Sequence, residues 1–254
     1  MLREDSKESK VIKQFSRFAH QYNTYNTIQS EVAKALVERI PKQKYTSILD
    51  VGCGSGEIYK NIERSRFSFD KFIALDSSKE MLALHPSDLN VDKYHLDFDN
   101  IQNYKILNKT EKDNLLISSS AIQWSKNLDT LIRHLSTQAG KAYFAIFTAN
   151  TFKTLHKTAN LKSPIYSECI LKEVINKYYY ASFQLNSYQL EFKTVRDMFR
   201  YIKKSGVSGG EKQLKYSQIK QLMDKYPLNY LEFEVLFVEA TPLNTKVLNG
   251  VKTV

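Results

Sequence analysis

The segment Ser47-Ile48-Leu49-Asp50-Val51-Gly52-Cys53-Gly54-Ser55-Gly56-Glu57 constrains this chain more than any other. A short apolar run ends in an acid, and three glycines follow at alternate positions. Such a run, bounded by turn residues, reads as a buried strand of a parallel sheet. The glycines permit a tight turn in which backbone approaches a ligand with no Cβ in the way. A helix that begins at about Gly56 offers free backbone N–H groups to the same ligand. The segment therefore reads as a loop for a nucleotide-type cofactor. Its Gly-x-Gly-x-Gly spacing departs from the dinucleotide fingerprint Gly-x-Gly-x-x-Gly, and no Gly-Lys-Ser/Thr follows as in a P-loop.

Strand and helix signals alternate beyond this turn. Strands are expected at Ile48–Val51, Phe72–Leu75, Lys93–Leu96, Leu115–Ser118 and Ala142–Phe147. Helices are expected at Glu57–Arg66, at Ser77–Leu84 with Ser77 or Ser78 as its cap, and at Leu128–Leu135. This alternation implies an α/β fold, a doubly wound Rossmann-like sheet, mostly parallel, with ligands at the carboxyl ends of the strands. Upstream, apolar residues fall at helical spacing from Val11 to Ile40, which gives two helices broken near Asn23-Thr24 and stopped by Pro41. From about Thr151 to Tyr180 the pattern changes to aromatic-rich helices. Phe183–Phe192 then alternates as a strand, Thr194–Lys204 is an amphipathic helix ended by Gly206, and Tyr230–Glu239 is an antiparallel closing strand, the seventh. No repeat or Pro/Ser-rich linker divides the chain. One domain over 1–254 is expected: a loose tail over 1–10, an N-terminal helical lid over 11–40, a cofactor-binding core over 41–150, a helical insertion and acceptor region over 151–192, and C-terminal helices with the last strand over 193–254.

Bulk properties narrow the class. With 42% apolar residues among 254, a full core is available. No apolar run approaches the ~18 residues of a membrane span, and the charged N-terminus has no signal-peptide pattern. Cys53 and Cys169 show no metal-ligand spacing, and the five histidines form no triad or metal pattern. No metal is expected, and a reducing cytoplasm fits the cysteine usage. A formal net charge of +10 favours an acidic partner, whether nucleic acid, anionic membrane or acidic protein, or reflects solvated surface lysines.

The acids that follow the strands specify the ligand further. Asp76 ends the second strand, 26 positions after Asp50. A carboxylate there accepts hydrogen bonds from both hydroxyls of a ribose; its ordinary alternative is a helix cap. Asp97-Phe98, after the third strand, is placed to read an adenine amino group and cover the ring. Asp50 orients the turn, or meets a ligand ammonium through water. After the fourth strand comes Ser118-Ser119-Ser120-Ala121-Ile122-Gln123-Trp124. Trp124, the only tryptophan, offers an aromatic face to a cation or packs in the core.

These residues resemble two levels of a known family. Asp50-x-Gly52-x-Gly54-x-Gly56 resembles motif I of the class I S-adenosylmethionine methyltransferases. Ala121-Ile122-Gln123-Trp124-Ser125-Lys126-Asn127-Leu128 is similar to the Gln-Trp motif of the malonyl-acyl-carrier-protein O-methyltransferases of biotin synthesis. Phe15-Ser16-Arg17-Phe18-Ala19-His20-Gln21-Tyr22-Asn23 with Ile28-Gln29 resembles that family's opening helices. Arg200-Tyr201-Ile202-Lys203-Lys204-Ser205-Gly206-Val207 and Tyr226-Pro227-Leu228-Asn229-Tyr230 resemble its last helix and its entry to the last strand. Glu57 departs from the neutral residue usual after the third glycine, and residues 151–192 show little similarity. The resemblance implies S-adenosylmethionine as cofactor, bound by Asp50, Gly52, Cys53, Gly54, Gly56, Asp76, Ser77, Met81, Asp97, Phe98 and Ser118. It implies Tyr22, Gln123 and Trp124 as catalytic positioning residues. It also implies an acidic acyl carrier protein bearing malonyl-phosphopantetheine as partner, with Arg200, Lys203 and Lys204 as a basic cluster to receive it, and a monomeric enzyme.

The implied reaction methylates a free carboxylate. Such a group, with pKa near ~4, is ionised at neutral pH and needs no general base, in line with the lack of a Cys–His or His-based constellation. Two alternatives stand beside it. One is methylation of a small acid such as trans-aconitate, since those enzymes also carry a Gln-Trp motif. The other is a basic nucleic-acid-directed methyltransferase or a non-catalytic S-adenosylmethionine-binding regulator. Against nucleic acid, no Asn/Asp-Pro-Pro-Tyr/Phe motif follows the fourth strand and no RNA-binding module is appended.

Overall fold

The computed structural model describes Ser16, residues 25–100, Gln102, residues 114–204 and residues 216–243. Its elements are α1 (Thr27–Val37), β1 (Lys44–Val51), α2 (Glu57–Ser65), β2 (Ser68–Asp76), α3 (Lys79–Leu84), β3 (Val91–His95) and β4 (Asn114–Ser119). A 3-10 turn (Ile122–Trp124), α4 (Leu128–Leu135), β5 (Lys141–Phe147), α5 (Lys153–Ala159), α6 (Glu168–Asn176) and β6 (Tyr179–Glu191) follow. The chain then forms α7 (Val195–Lys204), α8 (Tyr216–Lys225) and β7 (Tyr230–Pro242). Apart from Ser16, the first of the two expected N-terminal helices lies outside the described residues; α1 is the second, and it ends before Pro41.

The seven strands form one sheet in the order β3-β2-β1-β4-β5-β7-β6. β1 to β5 are parallel, β7 runs antiparallel to β5, and β6 runs antiparallel to β7. This is the expected doubly wound sheet with an antiparallel last strand. The last strand in sequence lies inside the sheet, between β5 and β6.

Side-chain parity divides the core between the two faces. Ile48, Leu115 and Ile117 pack with Ile28, Val32 and Leu36 of α1 on one face, while Leu49, Val51 and Leu116 pack with Leu131, Ile132 and Leu135 of α4 on the other. Both faces of β1 and β4 are thus covered, which is why these strands read as continuous apolar runs. Registers Val51↔Leu75 and Asp50↔Ile117 bring the carboxyl ends of β1, β2 and β4 to one edge of the sheet.

Several boundaries depart from expectation: β1 starts at Lys44, β2 at Ser68 and β3 at Val91, each earlier than the apolar runs suggest, and β7 extends to Pro242. β6 begins at Tyr179, so Tyr179 and Tyr180 belong to a strand and not to the helical insertion; pairing with Pro242 and Thr241 of β7 decides their state. Of the two expected caps for the helix after β2, Ser78 serves: its Oγ accepts the N–H of Met81 at 3.2 Å. No helix among the described residues is long and apolar enough to cross a membrane.

Candidate functional site

The glycine turn is built at the end of β1. The N–H groups of Gly52 and Cys53 both donate to the carbonyl of Leu75 on β2, at 2.8 and 3.0 Å. Gly52 has φ +73°, and a Cβ there would stand 2.3 Å from the Cβ of Ala121. The turn and the loop after β4 are therefore in contact, and only glycine satisfies both the conformation and the approach. Gly56 starts α2 at φ +84°, and a Cβ there would meet Pro86 at 2.7 Å. Glu57 accepts from Ser30 Oγ at 3.1 Å and from Lys60 Nζ at 2.8 Å, so this departure from the usual neutral residue ties α1 to the turn.

Around this turn opens a cleft of about 980 Å³, open solvent included. Asp50, Gly52, Cys53, Gly54, Asp76, Ser77, Met81, Asp97, Phe98 and Trp124 line it. Asp76 holds the turn: Oδ2 accepts the Gly54 N–H at 2.9 Å and Oδ1 accepts the Ser78 N–H at 2.8 Å. Burial pushes its pKa up, against the opposing effect of these hydrogen bonds. Asp50 is fully buried, and neither carboxylate oxygen has a hydrogen-bond partner among the described residues. Burial, and then the nearby Asp76 charge, raise its pKa well above the ordinary value. Burial likewise raises the Cys53 thiol, followed by the charges of Asp76 and Asp50, so this cysteine stays protonated and is no nucleophile. Asp97 Oδ1 accepts the N–H of Asp99 at 3.0 Å. Asp99 in turn binds Ser125 Oγ at 2.5 Å and the Lys126 N–H at 2.8 Å, which clamps the loop after β3 to the loop after the 3-10 turn.

Some candidates stand elsewhere. Ser118 does not reach the cleft: it shares parity with Leu116, faces away from α1, and spends its hydroxyl on the carbonyl of Val51 at 2.7 Å. Gln123 is buried behind the cleft wall, and its Nε2 donates 2.7 Å to the carbonyl of Ser120. Gly56 shapes the start of α2 without lining the cleft. Tyr22 lies outside the described residues, as do the side chains of Lys203 and Lys204. Arg200 lies away from the cleft lining and pairs with Asp197 of its own helix at 2.5 Å.

From the segment after β4, Ser119 and Ser120 line the cleft where Ser118 was expected, and Gln29 and Lys126 are among the lining residues that the sequence did not single out for the site. Gln29 carried a signal, a polar residue beside Ile28 and Val32 on the apolar stripe of a helix; it is 6% exposed, and its Oε1 has no partner among the described residues. Ser119 has the parity of Ile117 and so shares the α1 face with Asp50.

These features fit S-adenosylmethionine. The partnerless carboxylate of Asp50 suits an ammonium, the glycine turn leaves room for backbone approach, and Asp76 retains lone pairs for ribose hydroxyls. Comparison with known proteins agrees. Residues 3–114 match the ubiE/COQ5 methyltransferase family. A malonyl-[acyl-carrier protein] O-methyltransferase of Bacillus cereus is 28% identical over 153 residues, a match covering 57% of this chain and only 55% of that relative. One of Acetivibrio thermocellus is 26% identical over 228 residues, 79% of each chain. A trans-aconitate 2-methyltransferase of Deinococcus radiodurans is 29% identical over 115 residues, 45% of this chain and 42% of the relative. Among solved structures, the YcgJ protein of Bacillus subtilis shares the fold with a TM-score of 0.62 and 11% identity, over 84% of this chain and 99% of that one. A motif I turn, a strand-end acid bound to it and these likenesses agree: over residues 3–114 the chain is similar to the ubiE/COQ5 methyltransferase family, and its cleft suits S-adenosylmethionine.

Proposed function

We propose that the protein methylates the free carboxylate of a malonyl thioester carried on an acyl carrier protein, yielding the methyl ester used to build the pimelate moiety of biotin. The observation that carries this reading is the chemistry of the wall after β4. Ser119, Ser120, Ala121 and Trp124 line the cleft there, and none of them takes up a proton at neutral pH. This wall suits an acceptor that arrives already ionised and needs no base from it, as a carboxylate does. The likeness to malonyl-[acyl-carrier protein] O-methyltransferases supports the same acceptor.

S-adenosylmethionine supplies an electrophilic methyl group: a carboxylate oxygen forms the new O–C bond as the C–S bond breaks with its electron pair on sulfur, leaving a neutral ester and S-adenosylhomocysteine. The chain's own residues bind and align. Asp76 holds the ribose, Asp97 and Phe98 receive the adenine, and Asp50 receives the ammonium. Trp124 walls the reacting end, and Tyr22, outside the described residues, is assigned a positioning role by the family resemblance alone. Alignment of this kind supplies roughly 7–11 kcal/mol in well-oriented systems. The basic end of α7, with Arg200, Lys203 and Lys204, receives the acidic carrier protein through salt-sensitive contacts.

The test incubates the protein with methyl-labelled S-adenosylmethionine and, in parallel, malonyl-carrier protein, malonyl-CoA, trans-aconitate and bulk RNA. Base-labile label on malonyl-carrier protein is the expected result. Label in trans-aconitate alone assigns the small-acid reading, and label in RNA alone overturns carboxylate methylation altogether.

A further inference from the structure

We propose that Ser119 and Ser120 form the subsite for the acceptor's carboxylate, each donating its hydroxyl to it, and that Gln123 is the residue that positions Ser120. The proposal rests on the carboxylate-methylating reading and names where that carboxylate is held.

Both hydroxyl oxygens are buried in the cleft lining without a hydrogen-bond partner among the described residues. Buried hydroxyls are normally satisfied, so two adjacent orphans at a cleft wall mark a place that a polar ligand completes. Ser120 is held in an unusual backbone state, φ +59°, which a non-glycine residue adopts only when its surroundings fix it. Two contacts fix it. Its N–H donates to the carbonyl of Ala145 at 2.9 Å, and its carbonyl accepts Gln123 Nε2 at 2.7 Å. The next residue, Ala121, abuts Gly52, which sets the serine pair directly against the methyl-donor turn.

Charge selects these groups for an anion. The other titratable groups lining the cleft are chiefly acids: Asp50, Asp76, Asp97, Asp99 and Glu57, with Lys126 as the one basic residue among the lining residues described. An anionic acceptor is repelled by the donor side and needs donors that carry no negative charge. The serine hydroxyls are such donors. Hydrogen bonds to a carboxylate are stronger than those between neutral groups, and hydroxyls hold the anion without protonating it. One oxygen then keeps a free lone pair for the methyl carbon.

The experiment uses the full chain saturated with S-adenosylhomocysteine and measures binding of malonyl-carrier protein against acetyl-carrier protein, which lacks the carboxylate. Wild type is expected to prefer the malonyl form. Ser119→Ala, and Ser120→Gly, which glycine's freedom at positive φ lets fold, are each expected to cut that preference about tenfold, with S-adenosylhomocysteine affinity unchanged. Gln123→Met is expected to cut it too, and to add little to Ser120→Gly, since it acts through that residue. A preference that survives both serine substitutions overturns the proposal alone. A parallel fall in S-adenosylhomocysteine affinity also overturns it, because the hydroxyls would then serve the donor. A wild type with no malonyl preference, yet normal S-adenosylhomocysteine binding, overturns the acceptor reading and the proposal together.

Discussion

Asp76, at the end of β2, accepts the backbone N–H of Gly54 in the turn after β1 at 2.9 Å, so the acid assigned to the ribose also fixes the loop that approaches it. One carboxylate thus holds the turn and is the group proposed to meet the ribose. Its oxygens each keep a lone pair after binding Gly54 and Ser78. Asp76→Ala is expected to weaken S-adenosylhomocysteine binding by roughly 10- to 100-fold, as loss of charge-assisted hydrogen bonds implies. Isothermal titration calorimetry measures this directly, and unchanged affinity would sink the ribose assignment.

Gly52→Ala is expected to destabilise the fold by about 1–3 kcal/mol, through both positive φ and the 2.3 Å approach to Ala121. Adding Ala121→Gly restores the space but not the conformational freedom, so the double variant should recover only part of the lost stability. Denaturant melts of the three proteins check the ordering. Full recovery would mean that contact alone, and not backbone conformation, requires the glycine.

Asp50 sets a pH dependence. Its folded pKa is raised above the ordinary 3.8, chiefly by burial and then by Asp76, whose own pKa burial also raises. Between the ordinary and the raised value the folded state binds more protons than the unfolded one, so stability of the unliganded protein falls as pH rises through that window. Asp50→Asn is therefore expected to melt higher than wild type at about pH 7, each ~1 kcal/mol giving roughly 2–4 °C in a chain of this size. The gap should close toward about pH 4, while S-adenosylmethionine affinity drops. A melting difference independent of pH would place the effect in packing and not in the carboxylate.

Trp124 is the only tryptophan of the chain and lines the cleft. Its emission should shift when S-adenosylhomocysteine binds, and Trp124→Phe should abolish the signal while leaving donor binding measurable by calorimetry. A tryptophan signal indifferent to saturating S-adenosylhomocysteine would place the ring away from the donor.

Much of this architecture was legible in the sequence because the governing signals are local. The apolar run before Gly52 and the acids closing β1 and β2 each need only neighbours in the chain to be recognised. What was misread depended on partners far away. Ser118 and Ser119 differ by one position, and parity sends one to Val51 and the other into the cleft. Which parity faces the ligand depends on where α1 lies, a tertiary fact. Gln29 shows in the sequence only as a polar break in the apolar stripe of a core-facing helix; docking of α1 against the turn places it in the cleft wall. Tyr179 and Tyr180 looked helical beside α6 until β7 paired with them.

The placement of β7 between β5 and β6 means that β6 joins the sheet only through the last strand of the chain. During synthesis β6 is complete at Glu191, yet its sheet neighbour begins only at Tyr230. In that interval β6 lacks its native neighbour, and β5 shows an open edge of backbone donors and acceptors. The nascent chain can close the methyl-donor half of the sheet early, whereas β6 waits for Tyr230–Pro242 to leave the ribosome.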